Sequence, residues 1–205
     1  WNITLFKMKK LILASSSVHR KKLLEQLKLR FTIISPNIDE TRKKNEPINQ
    51  FVKRLSEEKA MKVASENKNS IVIGSDEVAV VNNIILGKPL TANNAKKQLK
   101  LISGKKVISG KKVIFKTGLC VACLSEKKIY SSVVNYSITM KKLSNNQIIN
   151  YIKNEDMLNC AGSIRIEGLA ISLIEKTSGS DPTSIIGLPL IKLSSYLEKI
   201  GHNTT

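Results

Sequence analysis

Leu11-Ile-Leu-Ala14 is a short apolar run of strand type, followed by Ser15-Ser16-Ser17 and then by Leu23, Leu24 and Leu27 on one face of a helix. The serines stand where N-caps stand, with Arg20, Lys21 and Lys22 in the first turns. Cations there oppose the helix dipole, which favours negative charge at that end. The misfit points to an anionic guest at the helix start, with a serine-capped surface helix and solvated lysines as the alternative.

Strand-type and helix-type stretches then alternate. Phe31–Pro36 reads as a strand, Asn37-Ile38-Asp39-Glu40 as a turn carrying two acids, and Thr41–Asn49 as a polar loop marked by Glu46-Pro47. From Phe51 to Ala64 apolar residues enclose Glu57, Glu58 and Lys59, the pattern of an amphipathic helix. Ile71-Val-Ile-Gly74 predicts a buried strand ending in Ser75-Asp76-Glu77, with Val78–Val81 as a second strand, Asn82-Asn83 as a hairpin turn and Ile84–Leu86 as the return. Thr91 or Asn93 caps a helix through Leu101, with Gly104 as its C-cap. Val113–Leu124 and Ile129–Met140 are β-rich, and Ser144 caps a further helix. Leu169–Ile174 reads as a strand and Leu188–Ile200 as a final amphipathic helix. This mixture predicts an α/β or α+β class with a mixed sheet.

One interruption stands out. Ile102-Ser-Gly-Lys-Lys-Val107 is repeated at once as Ile108-Ser-Gly-Lys-Lys-Val113. An even insertion within a strand preserves which side chains face the core, so one copy is expected as an exposed loop or a hairpin extension.

Composition changes this picture little. With 205 residues, 41% hydrophobic and 24% charged, the chain reads as an ordinary soluble protein with one sizeable core in one or two lobes. No apolar run approaches the roughly 18 residues of a membrane span. Trp1–Lys7 precede Met8-Lys9-Lys10-Leu11, and read as an N-terminal extension, non-native if Met8 is the natural start. Three cysteines and no secretion signal predict a reducing, cytoplasmic setting. The net charge of +18 tempts a nucleic-acid reading, but only five of the 34 cations are arginine and aromatics make up 4%. Lysine pairs recur along the whole chain, and neither arginine forks nor stacking rings are concentrated. Nucleic acid is therefore not the expected partner, although such a surface attracts small polyanions.

Few residues carry chemistry on spacing alone. Asp76, at the end of an apolar strand, lies where open α/β proteins bind ligands, and Glu40 ends a strand-and-turn unit that could approach the same edge. One or two carboxylates suit Mg²⁺ shared with substrate phosphates, whereas nothing suits a structural zinc. Cys120 and Cys123 have CxxC spacing within a strand pattern, which turns them to opposite faces, and they are expected to be buried and apolar. Gly104 to Lys112 has one spacer residue too many for a P-loop and lacks its Ser/Thr.

Read together, these stretches resemble the Maf family of nucleoside-triphosphate pyrophosphatases from about Lys9 to Gly201. The resemblance rests on Leu13-Ala-Ser-Ser-Ser17 with Arg20, Ile38-Asp-Glu40, Arg54-Leu55 with Glu58-Lys59-Ala60, Ile73-Gly-Ser-Asp76, and Leu86-Gly-Lys88-Pro89. Ala161-Gly162-Ser163, Glu167-Gly168-Leu169 and Ile186-Gly-Leu-Pro-Leu190 continue it in order. Gly-Ser-Asp76, Cys160-Ala-Gly-Ser163, Glu167 and Asp181-Pro182 are similar to the branch acting on 7-methyl-GTP.

The resemblance implies an α/β fold related to inosine triphosphatases, with a mixed twisted sheet, flanking helices and two lobes around a cleft. It implies one such domain over residues 8–202, commonly dimeric, that hydrolyses a nucleoside triphosphate to monophosphate and pyrophosphate as nucleotide-pool house-cleaning. A divalent cation (Mg, Mn or Co) is implied as cofactor. Asp76 is then the proton acceptor, with Glu40 and Lys88 assisting; Ser15, Ser17, Arg20, Lys59 and Lys88 contact substrate; Glu40 and Asp76 are the metal candidates. Base choice falls to His19, Glu77 and Glu167. Glu167 matches the 7-methyl-GTP branch, which usually has Trp in place of His19 and Gln in place of Glu77. The alternatives are a Maf-type pyrophosphatase for other nucleotides, and a basic nucleic-acid-associated or cell-division protein without turnover.

Overall fold

A computed structural model describes residues 9–103 and 112–203. The tandem hexamer lies largely outside the described residues, as do residues 1–7. Of the hexamer's flanks, Ile102 closes a helix and is buried, and Val113 lies in a strand and is buried.

The opening pattern folds as its periodicity predicts. The apolar run is strand β1 (Leu11–Ala14) and the leucine-faced stretch is helix α1 (Val18–Glu25), with Leu23 and Leu24 buried. Strand β2 (Phe31–Ile33) is shorter than predicted, and helix α2 (Ile48–Glu66) is longer. Strand β3 (Ile71–Val81) corrects the sequence reading. Gly74-Ser75-Asp76 does not end it, and the two predicted strands are one, whose far end Ala79–Val81 pairs antiparallel with β4 (Ile84–Leu86). Asn82 and Asn83 form the turn with positive φ at both positions, as a two-residue hairpin requires.

Helix α3 (Ala92–Ile102) is capped by Thr91, and its C-cap is Ser103 rather than Gly104. Strands β5 (Lys112–Cys123) and β6 (Lys128–Met140) follow, then helix α4 (Asn145–Asn154). Ser144 and Gln147 form a reciprocal capping box at the start of α4. Leu169–Leu173 is 3₁₀ helix and not strand, and the strand β7 (Ile174–Gly179) begins only after it. Ala170 and Leu173 are buried there while Leu169 and Ile171 are exposed, an i, i+3 pattern instead of an alternating one. Helix α5 (Leu190–Ile200) closes the chain.

Among the described residues, seven strands form one mixed sheet in the order β2-β1-β3-β5-β6-β7, with β4 also on β3. β1 pairs parallel with β2 and β3, while β6 and β7 pair antiparallel. The chain forms two compact units. Of the described residues, the first comprises 9–76, 118–132 and 190–203, and the second 77–103, 112–117 and 133–189. In the first, Ile12, Ala14, Val72, Cys120 and Ala122 pack with Ala60, Val63 and Ala64 of α2. In the second, Phe115, Ile138 and Met140 pack with Leu99 of α3 and with Ile148 and Tyr151 of α4. Among the described residues no helix is long and apolar enough to cross a membrane.

Candidate active site

In the first unit two glycines let α2 lie directly on the sheet. A Cβ on Gly74 would stand 2.2 Å from the Ser56 carbonyl oxygen, and one on Gly118 would stand 2.1 Å from that of Val52. This close approach carries Lys59 of α2 to β3, where its Nζ donates to Asp76 Oδ1 at 2.7 Å. The same ammonium pairs with Glu40 Oε1 at 2.9 Å. Lys59 and Asp76 are buried, whereas the Glu40 side chain is 58% exposed. Two acids distant in sequence thus share one cation. Asp76 lies two residues beyond Gly74, the last β3 residue paired with β1, so it stands past the end of the parallel ladder although its own strand continues.

At the start of α1, Ser17 is the N-cap and accepts from the Arg20 amide. Buried Ser15 uses its Oγ to accept from the Ser17 amide at 3.1 Å and from Arg20 Nη1 at 3.4 Å. The first turn holds no acid. Ser15 and Arg20 therefore form one polar group, His19 is half-buried in the same turn, and Ser17 has a structural task as well. Lys21 pairs weakly with Glu25 at 3.8 Å on the exposed side.

The second unit holds Glu77, Lys88 and Glu167. Lys88 is exposed in the turn after β4, and its neighbour Gly87 is anchored through a carbonyl that accepts from the Gly162 amide and from Gln98 Nε2. This ties the Gly87-Lys88-Pro89 turn to Ala161-Gly162-Ser163, where Gly162 and Ser163 both have positive φ. Glu155, just after α4, accepts from the Leu169 amide at 2.5 Å and from Arg165 Nη1 at 2.7 Å. Burial opposes its charge, but these donors outweigh burial and hold the carboxyl below its usual range. A Cβ on Gly168 would lie 2.2 Å from Glu155 Oε2, so the carboxylate would have to shift to admit it. The turn so fixed presents Glu167, whose Oε1 stands 3.9 Å from Arg165 Nε.

Glu77 and Glu167 both act electrostatically on Cys160. Burial pushes the Cys160 thiol up to about 12, and the charges of Glu167 and Glu77 add to that push while Arg165 opposes it. Cys120 and Cys123 are buried, and burial likewise pushes Cys120 up to about 12. Among the described residues no three His, Cys, Asp or Glu side chains gather as a metal cluster.

The Maf-like protein family matches residues 10–200 of this sequence. The chain belongs to that family. It is 48% identical over 191 residues to the 7-methyl-GTP pyrophosphatase of Pseudoalteromonas translucida, covering 93% of this chain and 92% of that protein. It is 45% identical over 194 residues to the 7-methyl-GTP pyrophosphatase of Colwellia psychrerythraea, covering 95% and 94%. The protein of the same name from Aliivibrio fischeri is 46% identical over 195 residues, covering 95% and 97%. Among solved structures, the Staphylococcus aureus Ham1 protein superposes with a TM-score of 0.40 at 14% identity, covering 67% of this chain and 73% of that one. A likeness that loose bears on neither fold nor function.

Arg54 stood in the sequence as part of a family motif and Glu46 as a loop marker, neither with a role, and Glu155 and Arg165 carried no motif of their own, yet these four hold the site in place. Glu46 and Arg54 form a two-pronged pair, with Nε to Oε1 at 2.7 Å and Nη2 to Oε2 at 2.9 Å. Glu155 and Arg165 are the second pair. A signal was present: arginine is scarce among the cations here, and Arg20, Arg42, Arg54 and Arg165 all make guanidinium hydrogen bonds beside these sites. Lysine cannot supply that fork.

Proposed function

We propose that this chain hydrolyses 7-methyl-GTP to 7-methyl-GMP and pyrophosphate. The observation that carries the reading is the Glu40–Lys59–Asp76 cluster, assembled from three separate stretches in a chain that matches relatives of that activity along most of its length. Asp76 is the proton acceptor for the attacking water. A carboxylate offers about four acceptor sites on two oxygens, so a bond from Lys59 leaves capacity for a water proton. Ser15, Arg20, Lys59 and Lys88 contact the phosphates, where positioned cations stabilise the charge that grows on the phosphoryl oxygens. Glu167 accepts from the guanine N1–H and N2–H₂, with Glu77 and His19 completing the choice of base.

The donor set fits a divalent cation. Glu40 and Asp76 carry two negative charges against one on Lys59, and oxygen donors of this kind hold Mg²⁺ together with phosphate oxygens. When bound, the ion neutralises phosphate charge and lowers the pKa of water. Lys59 keeps the two acids together, and Arg20 and Ser15 are already paired for an anion.

The deciding experiment is turnover of 7-methyl-GTP, GTP, dTTP, UTP and CTP with Mg²⁺, Mn²⁺ or Co²⁺. Preference for 7-methyl-GTP is expected. Equal or better turnover of pyrimidine triphosphates overturns the base assignment. Absence of all turnover together with steeply salt-sensitive nucleic-acid binding overturns the enzyme reading.

A further inference from the structure

Glu40 lies in an irregular loop, residues 34–47, between β2 and α2. Loops of this length without regular structure are uncommon in compact proteins and are usually functional. With its side chain mostly exposed, Glu40 needs its backbone fixed by other groups in order to meet Lys59. The loop has little apolar anchorage around it, since Asp39–Asn45 are all exposed.

One side chain supplies the fixing. Arg54 projects from α2 and spends its donors on three parts of its surroundings. Its Nη2 donates to the carbonyl of Thr41, the residue after Glu40, at 3.2 Å. Its Nε and Nη2 grip Glu46 at the far end of the loop, and its Nη1 donates to Glu58 at 3.0 Å. The guanidinium stands 5.7 Å from the centre of the Phe51 ring. Glu46 extends the grip, because its Oε2 also accepts from the Lys43 amide at 3.1 Å and its carbonyl accepts from Arg42 Nε at 2.9 Å. The loop is closed upon itself at Glu46 and closed onto α2 at Arg54.

We propose that Arg54, through Glu46 and the Thr41 carbonyl, is the positioning residue that presents Glu40 to Lys59 and Asp76. It touches no reacting group. It acts on turnover by fixing the loop that carries an acid, and so rests on the reading of this cluster as the catalytic one. Lysine cannot replace it, since a single ammonium cannot hold a carbonyl and a carboxylate in fixed relative orientation.

The experiment uses the full chain with Arg54→Lys and Glu46→Gln, alone and combined with Glu40→Gln. Native-state trypsin has targets within the loop at Arg42, Lys43 and Lys44. Cleavage there, relative to cleavage at other lysines, is expected to rise about tenfold in each single variant. Turnover of 7-methyl-GTP is expected to fall about tenfold in kcat with KM within about twofold. In the Glu40→Gln background the Arg54 change is expected to alter kcat less than about twofold, since its partner in effect is already gone. Unchanged cleavage at 42–44 overturns the inference whatever the activity. Increased cleavage with kcat losses that multiply across Arg54 and Glu40 overturns the link to Glu40. An inactive wild type that still shows the cleavage change overturns the proposed function and the link to turnover, leaving the loop clamp itself established.

Discussion

The two compact units each fix an acidic turn, and they do so with opposite charges at the centre. In the first, a cation on a helix gathers acids: Arg54 holds Glu46 and Glu58 and, through the Thr41 carbonyl, the turn bearing Glu40. In the second, an acid at a helix end gathers donors: Glu155 holds Arg165 and the amides of Leu169 and Asp156, and so the turn bearing Glu167. The difference lies in what each clamp depends on. The arginine clamp is made mostly of side chains, so an altered guanidinium breaks it. The glutamate clamp takes two of its three donors from the backbone, so it breaks when the backbone cannot come close. Gly168 is the residue that permits this approach.

The largest expected effect tests whether the first clamp has anything to serve. Asp76→Asn is expected to lower kcat about a thousandfold with the fold retained, measured by turnover and circular dichroism. Full activity removes the reason to compare the clamps at all. Next, Gly74→Ala forces α2 away from β3 and is expected to cost about 3 kcal/mol in denaturant unfolding. Loss of turnover at temperatures where that variant remains folded would show that the Lys59–Asp76 contact needs the close approach.

Gly168→Ala tests the second clamp. Its Cβ displaces Glu155, and kcat/KM for 7-methyl-GTP is expected to fall about tenfold while turnover of unmethylated GTP changes less. An equal fall for both nucleotides would detach this turn from base choice. The smallest expected effect concerns pH. The Arg54 hydrogen bonds hold the Glu46 carboxyl down at about 2. A depressed carboxylate contributes stability that is present above its unfolded value, near 4.5, and is lost as pH falls towards 2. Melting temperature should therefore decline over that window, and Glu46→Gln should flatten the decline. An identical slope in both proteins would mean that other groups dominate.

Much of this was legible along the chain wherever the signal is local. The serines at 15–17, Thr91 or Asn93, and Ser144 read as caps because a hydroxyl or amide before a helical pattern meets orphan amides, and the fold uses Ser17, Thr91 and Ser144. Asn82-Asn83 read as a turn because both tolerate positive φ. The failures share a cause. Gly74-Ser75-Asp76 looked like a strand end because Gly and Asp disfavour strands, yet β3 continues through them as its glycine receives a helix instead of a turn. Leu169–Ile174 looked like a strand because a short apolar run has no period long enough to separate strand from helix.

By itself, then, the sequence pattern determined a mixed class of strands and helices and the helix starts, while the family resemblance selected α/β and the acids and cations. The element pattern and the helix starts follow from residue period and cap chemistry, which act over a few positions. Tertiary structure alone decided that Lys59 bridges Glu40 and Asp76, and that Arg54 and Glu155 hold the turns. Each of those contacts joins residues far apart in the chain. The Lys59–Asp76 contact and the Glu155 clamp depend on how closely backbones approach, at Gly74 and at Gly168, whereas the Arg54 clamp depends on the reach of one guanidinium.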